Sequence, residues 1–173
     1  MEKNDELRTQ FIETVESYPQ YKLYFIDECG IDKYTYREYA YSPNGSIVRG
    51  NISGKKHKRT NVIAAKCGDR IVAPMLYEGS IDCILFEHWF ERILLKSIPK
   101  HSVLIMDNAA FHRKSKLQQI AANAECDVLF LPPYSPDLNP IEHFWAWIKC
   151  KLRDILRLYS NFDDALTDCF QLN

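Results

Sequence analysis

Apolar residues recur along this chain in two periods, and the switches between them mark out its elements. Leu7, Phe11, Ile12 and Val15 fall at helical spacing on the polar background of residues 3–18, which predicts an amphipathic helix. The run YKLYFIDECG (21–30) is apolar until it ends in two acids, a cysteine and a glycine, as a buried strand and its exit do. Further strands are expected in TYREYAY (35–41), TNVIAAKC (60–67) and RIVAPMLYEG (70–79), with turns at Ser42-Pro43-Asn44-Gly45 and Gly68-Asp69. From Asp82 to Ser97 the period becomes helical. Leu85, Phe86, Trp89, Phe90, Ile93 and Leu94 share one face, Glu87, His88, Glu91 and Arg92 lie opposite, and Ser80 or Asp82 is placed to cap. HSVLIMDN (101–108) and CDVLFL (126–131) read as two more buried strands, with a short helix in KSKLQQIAANA (114–124) between them. In residues 141–159, Ile141, Phe144, Trp145, Ile148, Leu152, Ile155 and Leu156 form the stripe of a long helix, and NFDDALTDCFQ (161–171) adds a short one.

Strand–helix alternation in the second half calls for parallel strands with crossovers, whereas the hairpins of the first half are antiparallel. The expected fold class is α/β: a mixed central sheet, three antiparallel strands followed by parallel ones, flanked by helices on both faces. Residues 1–20 are expected to form an N-terminal linker helix and 21–173 one domain, a length that buries most of its unfolded surface.

Composition narrows this little. A hydrophobic share of 46% and a charged share of 26% exclude disorder for the bulk of the chain. The net charge of −1 conceals basic clusters at GKKHKR (54–59) and KCKLR (149–153), enough to engage phosphates locally. Six scattered cysteines without a C-x-x-C pair argue against structural zinc and a disulfide framework. No apolar run is long enough for a membrane span, and the charged N-terminus is not a secretory signal, so a cytoplasmic location is expected.

The chemistry lies in where the acids fall. Asp27 ends LYFI and Asp107 ends VLIM, and residues just past strand carboxyl ends gather around the crevice of an α/β sheet. Glu142 follows a stiff loop, PPYSPDLNP, that returns the chain to the same edge, with Asn139 as expected cap and Pro140 in the first helical turn. Like charges at such proximity call for a cation or a shared proton. Oxygen ligands without histidine or thiolate suit Mg2+ or Mn2+, and three carboxylates suffice for two ions serving an in-line phosphoryl displacement. A strand-end aspartate is also a common turn former, so spacing leaves both readings open.

FIDECG (25–30), MDNAAFH (106–112) and LPPYSPDLNPIEHFWAWIK (131–149) together resemble the catalytic domain of DDE transposases, in particular bacterial insertion-sequence relatives of the mariner group. Asp107 and Glu142 have 34 residues between them, the spacing that resemblance requires. It implies an RNase H-like fold shared with retroviral integrases, and two divalent ions (Mg2+ or Mn2+) on Asp27, Asp107 and Glu142. It implies DNA cleavage at transposon ends and strand transfer into target DNA, by analogy at a TA dinucleotide, by a homodimer or larger synaptic complex. Such transposases carry helix-turn-helix modules ahead of the catalytic domain. None is expected in this chain, so a separate helix-turn-helix half is an expected partner. The alternatives are an RNase H-like endonuclease without strand transfer and a truncated, non-catalytic DNA-binding or dimerising remnant.

Around these acids several residues are expected to support the site. Glu28 points to the opposite side of the strand. Asn108 orients Asp107, contacts DNA or forms a turn; His112 reaches the site or DNA, or is a polar residue of a surface loop. His143 is a packing or DNA-facing neighbour of Glu142, and Asp137 shapes the proline loop. Lys55, Lys56, Lys58 and Arg59, with His57 among them, are expected to contact DNA phosphates, as are Lys149 and Arg153 on the helix face of Glu142. Trp145 and Trp147, two apart on a helix, cannot both be core.

Overall fold

A computed structural model describes residues 5–32 and 59–171. The strand expected at 35–41, the turn at 42–45 and the basic residues Lys55, Lys56, His57 and Lys58 lie outside the described residues. The chain runs α1 (Asp5–Glu16), β1 (Leu23–Asp32), β2 (Arg59–Cys67), β3 (Arg70–Glu78) and α2 (Cys83–Trp89). A π-helical turn, Phe90–Leu94, carries α2 into α3 (Leu95–Ser97), followed by β4 (Val103–Met106), α4 (Lys114–Asn123), β5 (Asp127–Phe130), α5 (Ile141–Ile155) and α6 (Phe162–Gln171).

The five strands form one sheet in the order β3-β2-β1-β4-β5. β1, β2 and β3 pair antiparallel, and β4 and β5 extend the sheet from β1 in parallel, as expected. Gly68, with φ +57°, supplies the left-handed residue of the tight β2–β3 turn. β3 is an edge strand and so tolerates Pro74 in its interior. Between the pairs Val72↔Ala65 and Met75↔Ile63 it holds one residue more than β2, a bulge that puts Ala73 at φ +55°. The Ala73 carbonyl that the bulge releases accepts from Trp89 Nε1 at 2.9 Å.

Side chains of the central strands alternate between two cores. Tyr24, Ile26, Ile63, Ala65, Leu104 and Met106 face α2, the π turn and α4, where Phe86, Trp89, Phe90, Leu94 and Leu117 are buried. Cys29, Ile31, Val62 and Ala64 face α5 and α6, and Leu23, Val103 and Ile105 lie under Phe11, Val15 and Tyr18. β4 is buried on both faces, which is why its sequence reads as an unbroken apolar run. Asp82 is the cap of α2, accepting from Leu85 N–H at 2.8 Å. Ile93, expected on the buried stripe, is 37% exposed: the wider π turn rotates the face, leaving Leu94 to fill the core. On α5 the expected stripe is buried from Ile141 to Leu152, with Ile155 and Leu156 at its margin.

Trp89 is fully buried and ties α2 to the bulged edge strand. Trp89→Phe is expected to lower stability by about 2–3 kcal/mol, through a small cavity and an unpaired Ala73 carbonyl. Urea denaturation with an unchanged m-value checks this.

Candidate active site

On the face covered by α1, α5 and α6, β1 presents Leu23, Phe25, Asp27, Cys29 and Ile31 in turn. Leu23 and Phe25 belong to the apolar cluster under α1, Cys29 and Ile31 to the one under α5 and α6. Asp27 falls in the gap between the two. Its Oδ2 accepts from the indole Nε1 of Trp145 at 2.9 Å. Burial, and after it the charge of Glu142, push its carboxyl up to about 7; donors from the Glu28 backbone and Trp145 oppose the rise, and Asp107 adds to it.

β1 and β4 pair in parallel with Phe25 beside Ile105, and two residues further on the same register brings Asp27 alongside Asp107. Asp107 opens the loop that leaves β4. Its Oδ1 accepts from Ala109 N–H at 3.0 Å, closing a tight turn, and His112 Nδ1 lies 3.2 Å from its main-chain oxygen. Asn108 Nδ2 donates to the carbonyl of Leu131, tying this loop to the end of β5.

Glu142 stands in the first turn of α5, exposed, while Ile141, Phe144 and Trp145 beside it are buried. The preceding loop contains a short 3-10 turn, Pro136–Leu138, and is clamped from α1. Arg8 donates to both Asp137 oxygens (3.2 and 2.6 Å) and to Ser135 Oγ (2.7 Å). Asp137 therefore shapes the loop, as expected, through a partner 129 positions earlier in the chain. Pro140, at φ −66° and ψ −12°, leads the helix as expected, but Asn139 does not cap it. The first turn closes instead from Glu142 N–H to the Asn139 carbonyl (3.1 Å), and the Asn139 side chain is packed into the wall of a cleft with Oδ1 buried and unpaired. Asp27, Asp107 and Glu142 all line this cleft, of about 290 Å3, together with Asn108, Tyr134 and Asn139. Among the described residues no three histidine, cysteine or acidic side chains close around a single point.

Residues 22–165 match the DDE superfamily endonuclease family, and that span contains all three acids. The chain belongs to this family. It is 36% identical over 69 residues to the uncharacterized protein y4pE/y4sA of Sinorhizobium fredii (strain NBRC 101917 / NGR234), a stretch making up 40% of this chain and 48% of that protein. In fold it is similar to Mos1 transposase in a paired-end complex with the left transposon end (TM-score 0.70, 16% identity, 85% of this chain and 47% of that one). The catalytic domain of Mos1 mariner transposase (TM-score 0.56, 13% identity, 96% and 89%) is likewise similar. So is the catalytic core domain of BIV integrase (TM-score 0.54, 10% identity, 87% and 81%). These likenesses concern the fold, which is RNase H-like as expected. The chain spans about half the length of the Sinorhizobium protein and of Mos1 transposase in that complex.

Within this DDE fold the other expected residues fall in different places. Glu28 points to the opposite face, towards Tyr77; burial and the charges of Asp27 and Asp107 push it up to about 8, and its Oε1 is buried without a partner. His112, considered as a polar residue of a surface loop, is buried: its ring lies against Phe86 (4.3 Å) and Phe111 (4.4 Å), and burial pushes its pKa down. His143 is exposed and not a packing residue. Lys149 stands beside Cys29 and opposes the rise that burial gives that thiol, a place also sensed by Asp27 and Glu142. Arg153 instead folds back along α5, with Nε on the Lys149 carbonyl (3.3 Å) and Nη2 on Cys150 Sγ (3.5 Å). Arg59 lays its guanidinium over Gly30, where a Cβ would come within 1.9 Å of Nη2, so it is drawn onto β1. Trp147 is 39% exposed and stacks on Phe144. The sequence reading assigned Trp145 to the core but overlooked its indole N–H, which a buried tryptophan must pair. It overlooked Arg8 altogether. The six cysteines are free thiols, as expected, and no helix among the described residues is long and apolar enough to cross a membrane.

The raised carboxyls set a pH dependence. Asp27 and Glu28 hold their protons more tightly in the fold than at their ordinary 3.8 and 4.5, so the stability they permit is complete below about 4 and is lost as pH rises through about 7 and about 8. Without divalent cations the melting temperature is expected to fall between about pH 5.5 and about pH 8.5, a loss on the order of a few kcal/mol for the pair. Asp27→Asn should flatten this fall. Thermal scans in chelator check both; a wild-type curve level across the interval contradicts them.

Proposed function

We propose that this chain is the catalytic domain of a transposase that cuts DNA at transposon ends and transfers the freed strand into target DNA with divalent metal ions. The observation that carries the proposal is the cleft in which acids from β1, the end of β4 and the first turn of α5 meet. The family match and the fold shared with a transposase bound to a transposon end support it.

The residues fit two hard divalent cations, Mg2+ or Mn2+. The donor set is oxygen-rich, and Asp27 carries an electrostatic penalty from Glu142 and Asp107 that cations would relieve. Asp27, Asp107 and Glu142 would hold them, and Mos1 paired-end complexes are known with Mn and with Mg. Bound there, the ions would supply Lewis acidity to the attacking and leaving oxygens of an in-line displacement at phosphorus. The protein's part is placement. Trp145 holds Asp27 in one orientation, the Ala109 turn holds Asp107, and the clamped proline loop fixes where α5 and Glu142 begin. In the first reaction water displaces the 3′ oxygen, which leaves with a proton as a free hydroxyl. In the second that hydroxyl displaces a target-strand oxygen, by analogy at a TA dinucleotide. Lys149, beside Cys29 on the helix that carries Glu142, would contact a phosphate backbone approaching that acid, and Lys55, Lys56, Lys58 and Arg59 would add contacts without sequence preference. Pairing two ends requires a homodimer or larger synaptic complex. The place of action is DNA in the cytoplasm.

Supercoiled DNA and oligonucleotides bearing the element's ends, incubated with Mg2+ or Mn2+, test this directly. Metal-dependent nicking and joining are expected, with Asp107→Ala reducing both about a hundredfold or more. Nicking without joining would identify an endonuclease, and no metal-dependent product, even with an end-binding partner supplied, would end the enzymatic reading. Replacing Lys55, Lys56, Lys58 and Arg59 with Ala should reduce the log–log salt slope of non-specific DNA binding by up to about 4. An unchanged slope removes that stretch from the interface.

A further inference from the structure

Among the described residues His112 is the one imidazole that the fold buries, and its surroundings are uneven. One ring nitrogen faces oxygens of a single residue: Nδ1 lies 3.2 Å from the main-chain oxygen of Asp107 and 3.5 Å from its Oδ1. The other, Nε2, is buried with no partner, and the ring packs against Phe86 and Phe111. Two oxygens at Nδ1 require the proton there, because a bare Nδ1 lone pair would face both and Nε2–H would be stranded in an apolar wall. The side chain is 2% exposed, whereas that of Asp107 is 52% exposed, so the contact joins a fixed donor to an acid open to the cleft. For packing alone a phenyl ring would serve better, since it leaves no unpaired acceptor.

We propose that His112 is a positioning residue for Asp107, its Nδ1–H holding the peptide and carboxylate of that acid in the orientation that receives a divalent cation. The inference rests on the reading of Asp107 as a metal ligand. The same loop is braced at its far end, where Arg113 donates from Nε and Nη2 to the two oxygens of Glu87 on α2, each at 2.6 Å. Phe86 on α2 holds the ring of His112 from the other side. The bracing thus runs from α2 through the ring to Asp107. Ala109 N–H holds Oδ1 at 3.0 Å, the same oxygen that faces His112 Nδ1.

Three substitutions separate positioning from packing, with Mn2+ affinity read by electron paramagnetic resonance and stability read by thermal melting. His112→Phe keeps the ring and removes the donor; it should melt at or above wild type and bind Mn2+ about tenfold more weakly or worse. His112→Asn offers an amide N–H at the Nδ1 position; it should melt lower, because it leaves a cavity against Phe86 and Phe111, yet keep Mn2+ affinity within about threefold. His112→Gln, whose amide reaches the Nε2 position, should lose affinity as His112→Phe does. Between His112→Phe and His112→Asn, affinity and stability are therefore expected to rank in opposite orders. His112→Phe binding Mn2+ as wild type does, or affinities that follow the melting temperatures, would overturn the proposal while leaving the metal site intact. A wild-type affinity that Asp107→Asn does not change would overturn the metal-ligand reading of Asp107 and this inference with it.

Discussion

Asp27 occupies a place where the alternation of β1 would otherwise put another apolar side chain, between Phe25 and Cys29 and between two separately covered clusters. A carboxylate there loses solvation, and the charges that act on it, Glu142 and Asp107, are of its own sign. One neutral side-chain donor, the Trp145 indole, offsets part of the cost. The geometry of the site follows from that position. The gap exists because α1 and α5 cover different halves of one sheet face. Asp107 is beside it because β1 and β4 are parallel and in register, and Glu142 is beside it because Trp145, one turn along the same helix, is bonded to Asp27.

The proline loop stabilises this arrangement from outside. Four prolines between positions 132 and 140 limit the backbone it can adopt, but stiffness alone does not set its direction. Direction comes from Arg8, whose planar guanidinium meets both oxygens of Asp137 and also reaches Ser135. α1 is thereby coupled to the cleft: its apolar side packs on the sheet through Phe11 and Val15, and its polar side holds the loop that launches α5. Asn139, freed from capping, becomes a wall of the cleft with an unpaired oxygen aimed at no protein donor.

Much of this was legible in the chain because burial writes simple patterns. β4, covered on both faces, and β5, an edge strand whose Val128, Leu129 and Phe130 are partly buried, both read as short apolar runs. The stripe of α5 follows its burial closely, and the acids are conspicuous because each follows an apolar run or a stiff loop. What periodicity could not carry were contacts between residues far apart and contacts made by polar atoms of apolar-looking residues. Arg8 and Asp137 are separated by nearly the whole domain. Trp145 reads as core from its spacing, and its N–H has no signature of its own. His112 was open to a surface reading because the loop after β4 is short and polar, whereas Phe86 from α2 closes over it. The π turn that rotates Ile93 outwards has no local marker in the sequence.

The three acids are braced by different parts of the fold, and this bears on how the site tolerates change. Asp107 depends on the loop held by α2 through Phe86 and Glu87; Glu142 depends on the loop held by α1; Asp27 depends on the β1 backbone and on α5. The brace of Asp107 lies on the opposite face of the sheet from α5, which Asp27 and Glu142 share, so a cavity in either core displaces Asp107 and the other two acids independently. Mutual repulsion among three like charges acts against that independence, because any added freedom lets them move apart and lowers their energy. A rigid frame around each acid is therefore the condition for keeping them together without a counter-ion. Buried polar atoms on Glu28, His112 and Asn139 have no protein partner, so the packing around the acids leaves hydrogen-bonding capacity beside the site.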